Sequence, residues 1–282
     1  MAGTRGVSLH IGVNFLDPDH YSGWDGRLYA CENDCDDMRA IAKTQGFETQ
    51  VLKSRQATRE AVTSAIRNIA GQLNDGDFFL LSYAGHGGTI PDVDGDEEDL
   101  VDETWCLFDG ELLDDELNIL WAAFKAGVRL LVVSDSCHSG TLLKGIDLDD
   151  VNLREAGRVV DPDDVFEHAR AMPRNIAKET ARKNRQFYAD LQYALPSPRP
   201  EIRATVRLLS GCQEDELSYE AKNGSGRFTE ALKQTYADGK FEGDYTAFHQ
   251  AILEKVKEKQ TPNHAVQGMP NEAFDKEPPF KI

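Results

Sequence analysis

Short runs of branched and aromatic apolar residues recur along the chain and alternate with segments of helical periodicity. Runs of this length suit buried strands, and a helix between two strands allows the second strand to lie parallel to the first. The alternation therefore predicts an α/β fold with a mostly parallel central sheet flanked by helices on both faces. The predicted strands are Val7–Val13, Glu48–Leu52, Phe78–Tyr83, Val128–Val133 and Thr205–Leu209.

Three segments with apolar residues at helical spacing lie between these strands, and two more follow the last strand. Thr58 and Asp114 are candidate N-caps, because their side chains can accept hydrogen bonds from the first turn of a helix. The predicted helices are Glu32–Thr44, Thr58–Leu73, Asp115–Lys125, Arg227–Tyr236 and Tyr245–Lys259.

A long polar segment, Lys144–Arg203, interrupts this alternation before the last predicted strand. Its middle, Asp163–Leu195, can form amphipathic helix. Segments of this length between two core strands are commonly lids, insertions or linkers. We therefore divide the chain into residues 1–143, an insertion at 144–203 and residues 204–282.

The chain is strongly acidic, with a formal net charge of -18 and a pI near 4.8. An acidic surface repels nucleic acid and anionic membranes, so neither is an expected partner. Five cysteines without framework spacing predict reduced thiols. The first fifteen residues lack the long apolar region of a signal peptide, and no later stretch is long enough to span a membrane. We expect a cytoplasmic monomer.

A thiol directly follows one of the predicted core strands. Cys137 lies in the sequence DSCHSG (135–140), and the strand Phe78–Tyr83 continues into AGHGG (84–88). Functional groups gather where parallel strands end, so adjacent strands would place His86 beside Cys137. An imidazole there can take the thiol proton, and the amides of Gly87 and Cys137 can bind an oxyanion. This pattern predicts acyl transfer by a Cys/His dyad.

Each of these residues also has a purely structural interpretation. A lone cysteine after a strand is more often a small buried apolar residue, and a lone histidine is more often a satisfied core or surface group. His138 adjoins Cys137, but neighbours on a tight turn diverge, so we assign His138 to the loop scaffold.

Several motifs in the same order along the chain resemble those of metacaspases, the caspase-like cysteine peptidases whose bacterial members include orthocaspases. The catalytic large-subunit region is matched by YAGHGG (83–88), DSCHSG (135–140), DVDGDEEDLVDE (92–103) and LLDDEL (112–117). Further similarity lies in ACENDCDDM (30–38), LLSGCQEDELSYE (208–220) and GRFTEAL (226–232). The resemblance implies a caspase-like fold, in which residues 1–143 form a large-subunit region and residues 204–282 a small-subunit region of one domain.

The resemblance also assigns roles to individual residues. His86 would be the general base and acid, and Cys137 the nucleophile. The implied substrates are protein or peptide chains with Arg, or alternatively Lys, before the scissile bond. The acidic pocket for that residue would contain Asp135 and Asp34, with Cys31 on its wall, since paired carboxylates match a guanidinium. Asp34 could instead be an ordinary acid at a helix N-terminus. Ala84 stands where many metacaspases have Ser, which removes a hydroxyl from the pocket rim.

A calcium site is the remaining implication of the resemblance. Asp102, Asp114 and Asp115 match carboxylates of a site that activates some metacaspases, whereas Lys144 replaces a fourth carboxylate by a cation. Calcium stimulation and a solvated acidic loop without bound metal therefore both stay open. No organic cofactor is expected.

The sequence as a whole predicts a cysteine endopeptidase that cleaves after Arg. An inactive caspase-like scaffold that binds partners through its insertion is the alternative, and a calcium-binding regulatory module is a third. Basic residues in the insertion could be sites of self-processing or simply a solvated helix face. They are Arg154, Arg158, Arg170, Arg174, Arg182, Lys183 and Arg185.

Overall fold

The computed structural model of the chain describes residues 3–91, 101–137, 169–212, 218–220, 224–256 and 260–282. Within these residues a six-stranded sheet has the order β2-β1-β3-β7-β8-β9, and a second sheet has the order β4-β5-β6. The first five strands of the large sheet are parallel, and β9 runs antiparallel to β8. The strands are β1 Gly6–Gly12, β2 Glu48–Lys53, β3 Phe78–Ala84, β4 Gly87–Pro91, β5 Val101–Leu107, β6 Gly110–Leu113, β7 Arg129–Asp135, β8 Thr205–Ser210 and β9 Asn263–Gly268.

Helices cover both faces of the large sheet. Alternate residues of a strand point to opposite faces, and β3 shows this directly: Phe79 and Leu81 pack with α2 and α3, while Phe78 and Leu80 pack with α1, α6 and α7. The predicted fold class, a caspase-like α/β fold with a mostly parallel sheet, is confirmed. The helices are α1 Cys31–Thr44, α2 Arg59–Gln72, α3 Asp114–Ala122, α4 Arg174–Lys183, α5 Arg185–Ala194, α6 Arg227–Tyr236, α7 Tyr245–Val256 and α8 Glu272–Lys276.

The five predicted strands all form, and their ends shift by only one or two residues. The central strands β1, β3 and β7 are buried along their whole length, which explains the long apolar runs of β3 and β7. The strands β4, β5, β6 and β9 were not predicted. The strand β9 has the sequence NHAVQG and is mostly exposed, so it lacks the apolar run on which the prediction depends.

One of the two predicted helix caps is correct. The hydroxyl of Thr58 accepts a hydrogen bond from the amide of Ala61 at 3.1 Å, so Thr58 caps α2. The prediction for Asp114 is wrong by one residue, because α3 begins at Asp114 and Leu113 occupies the cap position. The helical segment expected within Asp163–Leu195 is divided into α4 and α5 at Asn184.

The cysteines form no disulfide, as their spacing predicted; Cys31, Cys35, Cys106, Cys137 and Cys212 are each buried. No helix within the described parts of the chain is both long and apolar enough to cross a membrane.

Pairing between β3 and β7 determines where the loops after these strands lie. The two strands are parallel neighbours, and Ala84 is aligned with Asp135 at the end of the pair. The short segments that follow, which contain His86 and Cys137, therefore leave the sheet side by side. The hydroxyl of Tyr83 donates to the carbonyl of His86 at 2.7 Å and so fixes the turn after β3.

The central position of β7 predicts a large effect of core truncation on stability. Leu131 on β7 is fully buried, so Leu131→Ala should lower the free energy of unfolding by about 2–5 kcal/mol, through lost apolar burial and the remaining cavity. The control Tyr193→Ala, at a side chain 72% exposed on α5, should change it by less than about 0.5 kcal/mol. Denaturant unfolding measures both. Equal losses in the two variants would contradict this assignment of the core.

Candidate active site

His86 lies directly after β3 with its imidazole buried. Its Nε2 is 3.0 Å from the carbonyl oxygen of Gly26, and its ring packs on Trp24 with the centroids 4.8 Å apart. A carbonyl only accepts hydrogen bonds, so Nε2 carries the proton and Nδ1 presents a lone pair. Nδ1 has no hydrogen-bond partner among the described residues.

Burial keeps the imidazole of His86 neutral. Desolvation lowers the pKa of His86 to about 4, although the backbone groups of Gly26 and Ala171 oppose the shift. A neutral ring with a free Nδ1 lone pair can act as a base at neutral pH.

Cys137 lies two residues beyond β7 and is also buried. The amide of Ser218 donates to its Sγ at 2.8 Å, and Sγ lies 3.5 Å from the Ser218 carbonyl oxygen. The N–H group of Ser218 is directed at the sulfur and holds it in place. The loop that contains Ser218 therefore supports the thiol that β7 positions.

Two backbone amides converge on one carbonyl oxygen beside this thiol. Gly87 and Cys137 donate their N–H groups to the carbonyl of Arg170 at 3.0 and 3.1 Å. This is the arrangement of an oxyanion hole, in which fixed donors face the oxygen that becomes negative. Gly87 must be glycine, because a Cβ there would overlap the carbonyl oxygen of Cys137. The amide pair that the sequence suggested is thus brought together, with a backbone carbonyl already bound to it.

The segment Ala169–Met172 crosses the site and makes main-chain contacts on both sides. The amide of Arg170 donates to the carbonyl of Ser218 at 2.9 Å, and the amide of Met172 donates to the carbonyl of Gly87 at 2.8 Å. Ala169 forms a further antiparallel bridge with Tyr219. Peptides bound by addition of a strand make main-chain contacts of this kind. The segment therefore lies in the site as a peptide substrate would.

The side chain of Arg170 fills a buried acidic pocket. Its Nη1 lies 3.0 Å from Oδ2 of Asp135 and donates to the Asp135 carbonyl at 3.0 Å, while Nη2 forms an ion pair with Asp34. Oε1 of Glu220 lies 3.9 Å from Nη2. The guanidinium is inaccessible to solvent, so its charge is balanced by carboxylates instead of water.

Neighbouring donors orient the carboxylates of this pocket. Asp135 accepts hydrogen bonds from Ser218 Oγ at 2.7 Å and from the hydroxyl and amide of Thr229 at 2.7 and 3.1 Å. Asp34 accepts from the amide of Gly226 at 2.9 Å. Burial raises the pKa of Asp34 to about 6, against the lowering effect of Arg170. Proton uptake by Asp34 is therefore linked to whether a guanidinium is present.

Cys31 and Ala84 form the apolar wall beside this acidic group, together with Leu28. Burial raises the pKa of the Cys31 thiol well above its ordinary value, so it stays neutral there. The Nε of Arg170 has no hydrogen-bond partner among the described residues. Absence of a hydroxyl at Ala84 removes one acceptor that a serine would bring to this region.

Several residues that contribute to the site were not predicted from the sequence. Ser218, Glu220 and Gly226 lie in motifs that the family resemblance included, but nothing local identifies them as pocket residues. Glu220 accepts hydrogen bonds from the amides of Tyr29 at 3.0 Å and Ala30 at 2.6 Å, and so links this loop to the start of α1. Arg170 was one of the seven basic residues considered as sites of self-processing, without a signal that distinguished it from the others.

The three carboxylates that the resemblance assigns to calcium have protein partners. Gln192 Nε2 donates to Asp102 Oδ2 at 2.6 Å, and Arg199 binds both carboxylate oxygens of Asp115, with Nε 3.1 Å from Oδ1. Asp114 Oδ1 accepts from the amide of Asp115 at 2.9 Å. His138, Lys144 and the acidic residues 92–100 lie outside the described residues.

Comparison with known proteins agrees with this geometry. A family model described as "Caspase domain" matches residues 6–274. A crystal structure of a protein from Geobacter sulfurreducens is 44% identical in sequence, with a TM-score of 0.86 and coverage of 99% of each chain. Caspase-1 from Spodoptera frugiperda shares the fold, with a TM-score of 0.56 and 15% identity over 94% of this chain and 87% of that one.

Curated relatives carry the metacaspase name that the motifs suggested. Metacaspase-1A of Aspergillus fumigatus is 30% identical over 254 residues, which cover 81% of this chain and 59% of that protein. Metacaspase-1B of the same species is 33% identical over 154 residues, or 49% of this chain and 36% of that protein. The chain thus spans less than two thirds of these relatives. Because the caspase model covers nearly all of it, the chain belongs to the caspase family of cysteine peptidases.

Proposed function

We propose that the protein is a cysteine endopeptidase that hydrolyses peptide bonds after Arg, and that its own Arg170–Ala171 bond is a substrate. One observation carries this proposal: the carbonyl of Arg170 accepts both amides of the oxyanion hole while its guanidinium fills the acidic pocket. Proteins or peptides with an accessible Arg are the corresponding external substrates.

The geometry supports a two-step hydrolysis. His86 Nδ1 takes the thiol proton as Cys137 Sγ attacks the Arg170 carbonyl carbon, and the amides of Gly87 and Cys137 stabilise the oxyanion. The tetrahedral intermediate collapses as His86 returns the proton to the nitrogen of Ala171, which breaks the C–N bond and leaves a thioester. Water, deprotonated by His86, then hydrolyses the thioester and regenerates the thiol with a carboxylate on Arg170.

The pocket explains a preference for Arg. A planar guanidinium can satisfy Asp34 and Asp135 together through separate N–H groups, as Arg170 does. A lysine ammonium is a single point charge and cannot bridge the two carboxylates in the same way, so Lys is expected to be the weaker alternative. An acidic side chain would add a buried negative charge beside others and is disfavoured.

The first prediction for this function concerns the dyad. Cys137→Ala and His86→Ala should each lower kcat/KM for an Arg-containing peptide by at least about 10³-fold, because one removes the nucleophile and the other its proton acceptor. Cys35→Ala, at a buried thiol on α1, is the matched control and should retain activity. A steady-state peptide assay with circular dichroism spectra of every variant makes the comparison. Retained activity in Cys137→Ala would sink the assignment.

The second prediction concerns self-cleavage. Intact-mass measurement of the purified wild type should show fragments 1–170 and 171–282, because the Arg170 carbonyl already lies in the oxyanion hole. Cys137→Ala should remain one chain, and Arg170→Ala should lose this cleavage. Arg182→Ala, at an exposed position on α4, should yield the same fragments as the wild type. Cleavage of the wild type elsewhere with an intact Arg170–Ala171 bond would contradict the proposed register.

The third prediction is a pH dependence of substrate binding. The pKa of Asp34 is about 6 with Arg170 in the pocket, and an empty pocket raises it further because the guanidinium's lowering effect is lost. Asp34 therefore releases its proton more readily when Arg binds. The KM for Arg peptides should consequently rise as pH falls from neutral towards about 6.

The control for this pH dependence is Asp34→Asn in enzyme that has already been cleaved after Arg170. It should have a higher KM at neutral pH and a flatter KM profile over the same range, since the titrating carboxyl is gone. Steady-state kinetics at constant ionic strength measure the profiles. A wild-type KM that is constant from neutral pH to about 6 would contradict the linkage.

A further inference from the structure

A second arginine of the insertion binds a second acidic group. Asp102 on β5 and Asp115 on α3 are both buried, and each accepts hydrogen bonds from the chain between Gln192 and Arg199. These carboxylates are two of the three that the metacaspase resemblance assigned to calcium. Their partners come from the segment C-terminal to the Arg170–Ala171 bond.

The donors on these carboxylates do not fit a calcium site. Calcium takes six to eight oxygen ligands and needs the lone pairs of its carboxylates. Both oxygens of Asp115 are instead bound by the Nε and Nη2 groups of Arg199. The amide of Gln192 binds Asp102 and also donates to the carbonyl of Pro91 at 3.0 Å. Across the described residues, no three His, Cys, Asp or Glu side chains are grouped to hold a metal ion.

The charge balance at Asp115 also argues against a calcium site. A buried carboxylate is costly without a cation or several donors, so Asp115 requires a partner. Arg199 supplies one positive charge through a two-point contact, which is the strong geometry for a guanidinium and a carboxylate. Calcium placed on the same carboxylate would have to displace this guanidinium or lie beside it.

We propose that Arg199 is the built-in cation of Asp115, one of the carboxylates to which the resemblance assigns calcium. Arg199 and Gln192 fasten the end of the segment that begins at Ala171. Tyr188 makes a further contact near the middle of this segment. Its hydroxyl lies 2.7 Å from His20 Nε2 and accepts a hydrogen bond from the amide of Glu111 at 3.0 Å. Arg199 is thus a positioning residue for the C-terminal side of the bond that we propose is cleaved. Folding of this region, and cleavage within it, then need no added calcium.

Thermal unfolding of Cys137→Ala tests the proposal without relying on peptidase activity. The melting temperature should be the same in calcium chloride and in EDTA. Adding Arg199→Ala should lower it by a few degrees, since Asp115 loses its cation, and calcium should restore part of the loss while magnesium restores less. Adding Arg203→Ala instead, at an exposed arginine four residues away, should leave the melting temperature and its lack of calcium response unchanged.

Two results would overturn the proposal. One is a calcium-dependent rise in the melting temperature of Cys137→Ala that Asp115→Asn abolishes. The other is an Arg199→Ala protein with neither a lower melting temperature nor a calcium response. If Arg199→Ala does not fold, terbium binding to the Cys137→Ala protein tests the proposal instead. Terbium luminescence should then show no saturable binding that Asp115→Asn abolishes. A separate readout is the rate at which the wild type forms its fragments, which should be equal in calcium and in EDTA. This readout also depends on the proposed function.

Discussion

The buried ion pairs of Arg170 connect the parts of the chain that form the site. Asp34 belongs to α1, Asp135 ends β7, and Glu220 lies in the loop after β8, so a single guanidinium is surrounded by carboxylates from three regions. Without a cation these carboxylates would be close, buried and mutually repulsive. The pocket therefore needs a cation to balance its buried carboxylates, and the guanidinium of Arg170 supplies it. Under the proposed function, an incoming substrate would supply an Arg side chain in its place.

Arginines at two points of the insertion give its C-terminal half two different attachments. Arg170 binds the pocket beside Cys137, and Arg199 binds Asp115 at the start of α3. Hydrolysis after Arg170 would separate the pocket-bound Arg170 from Ala171 and leave the contact between Arg199 and Asp115 intact. The chain from Ala171 to Arg199 would then remain packed through Tyr188 and Gln192, whereas the product arginine would have only its pocket contacts and main-chain bonds. The new C-terminus at Arg170 is consequently the part of the chain that a substrate would have to displace from the pocket.

The sequence predicted those features that depend on neighbouring residues or on general rules of sheet topology. Buried apolar runs identified β3 and β7, and the rule that groups gather at the carboxyl ends of parallel strands brought His86 and Cys137 together. Prediction was poorer where tertiary contacts decide the outcome. The strand β9 is polar and exists because β8 offers it an edge, and Asp114 begins α3 because Leu113 can occupy the cap position. Nothing local separates Arg170 from Arg174, since only the folded pocket selects between them, and the partners of Asp102 and Asp115 lie 90 and 84 residues away.

Burial of the dyad also determines how its charges arise. Burial holds the pKa of His86 near 4, so its imidazole is neutral at neutral pH. In the proposed mechanism the imidazole takes the thiol proton as sulfur attacks, so negative charge passes from sulfur to the substrate oxygen within the same step. That oxygen is bound by the amides of Gly87 and Cys137, two rigid donors that need no rearrangement. In that mechanism the imidazole is uncharged at rest, the acidic pocket carries the electrostatic recognition, and the backbone amides stabilise the charge that develops.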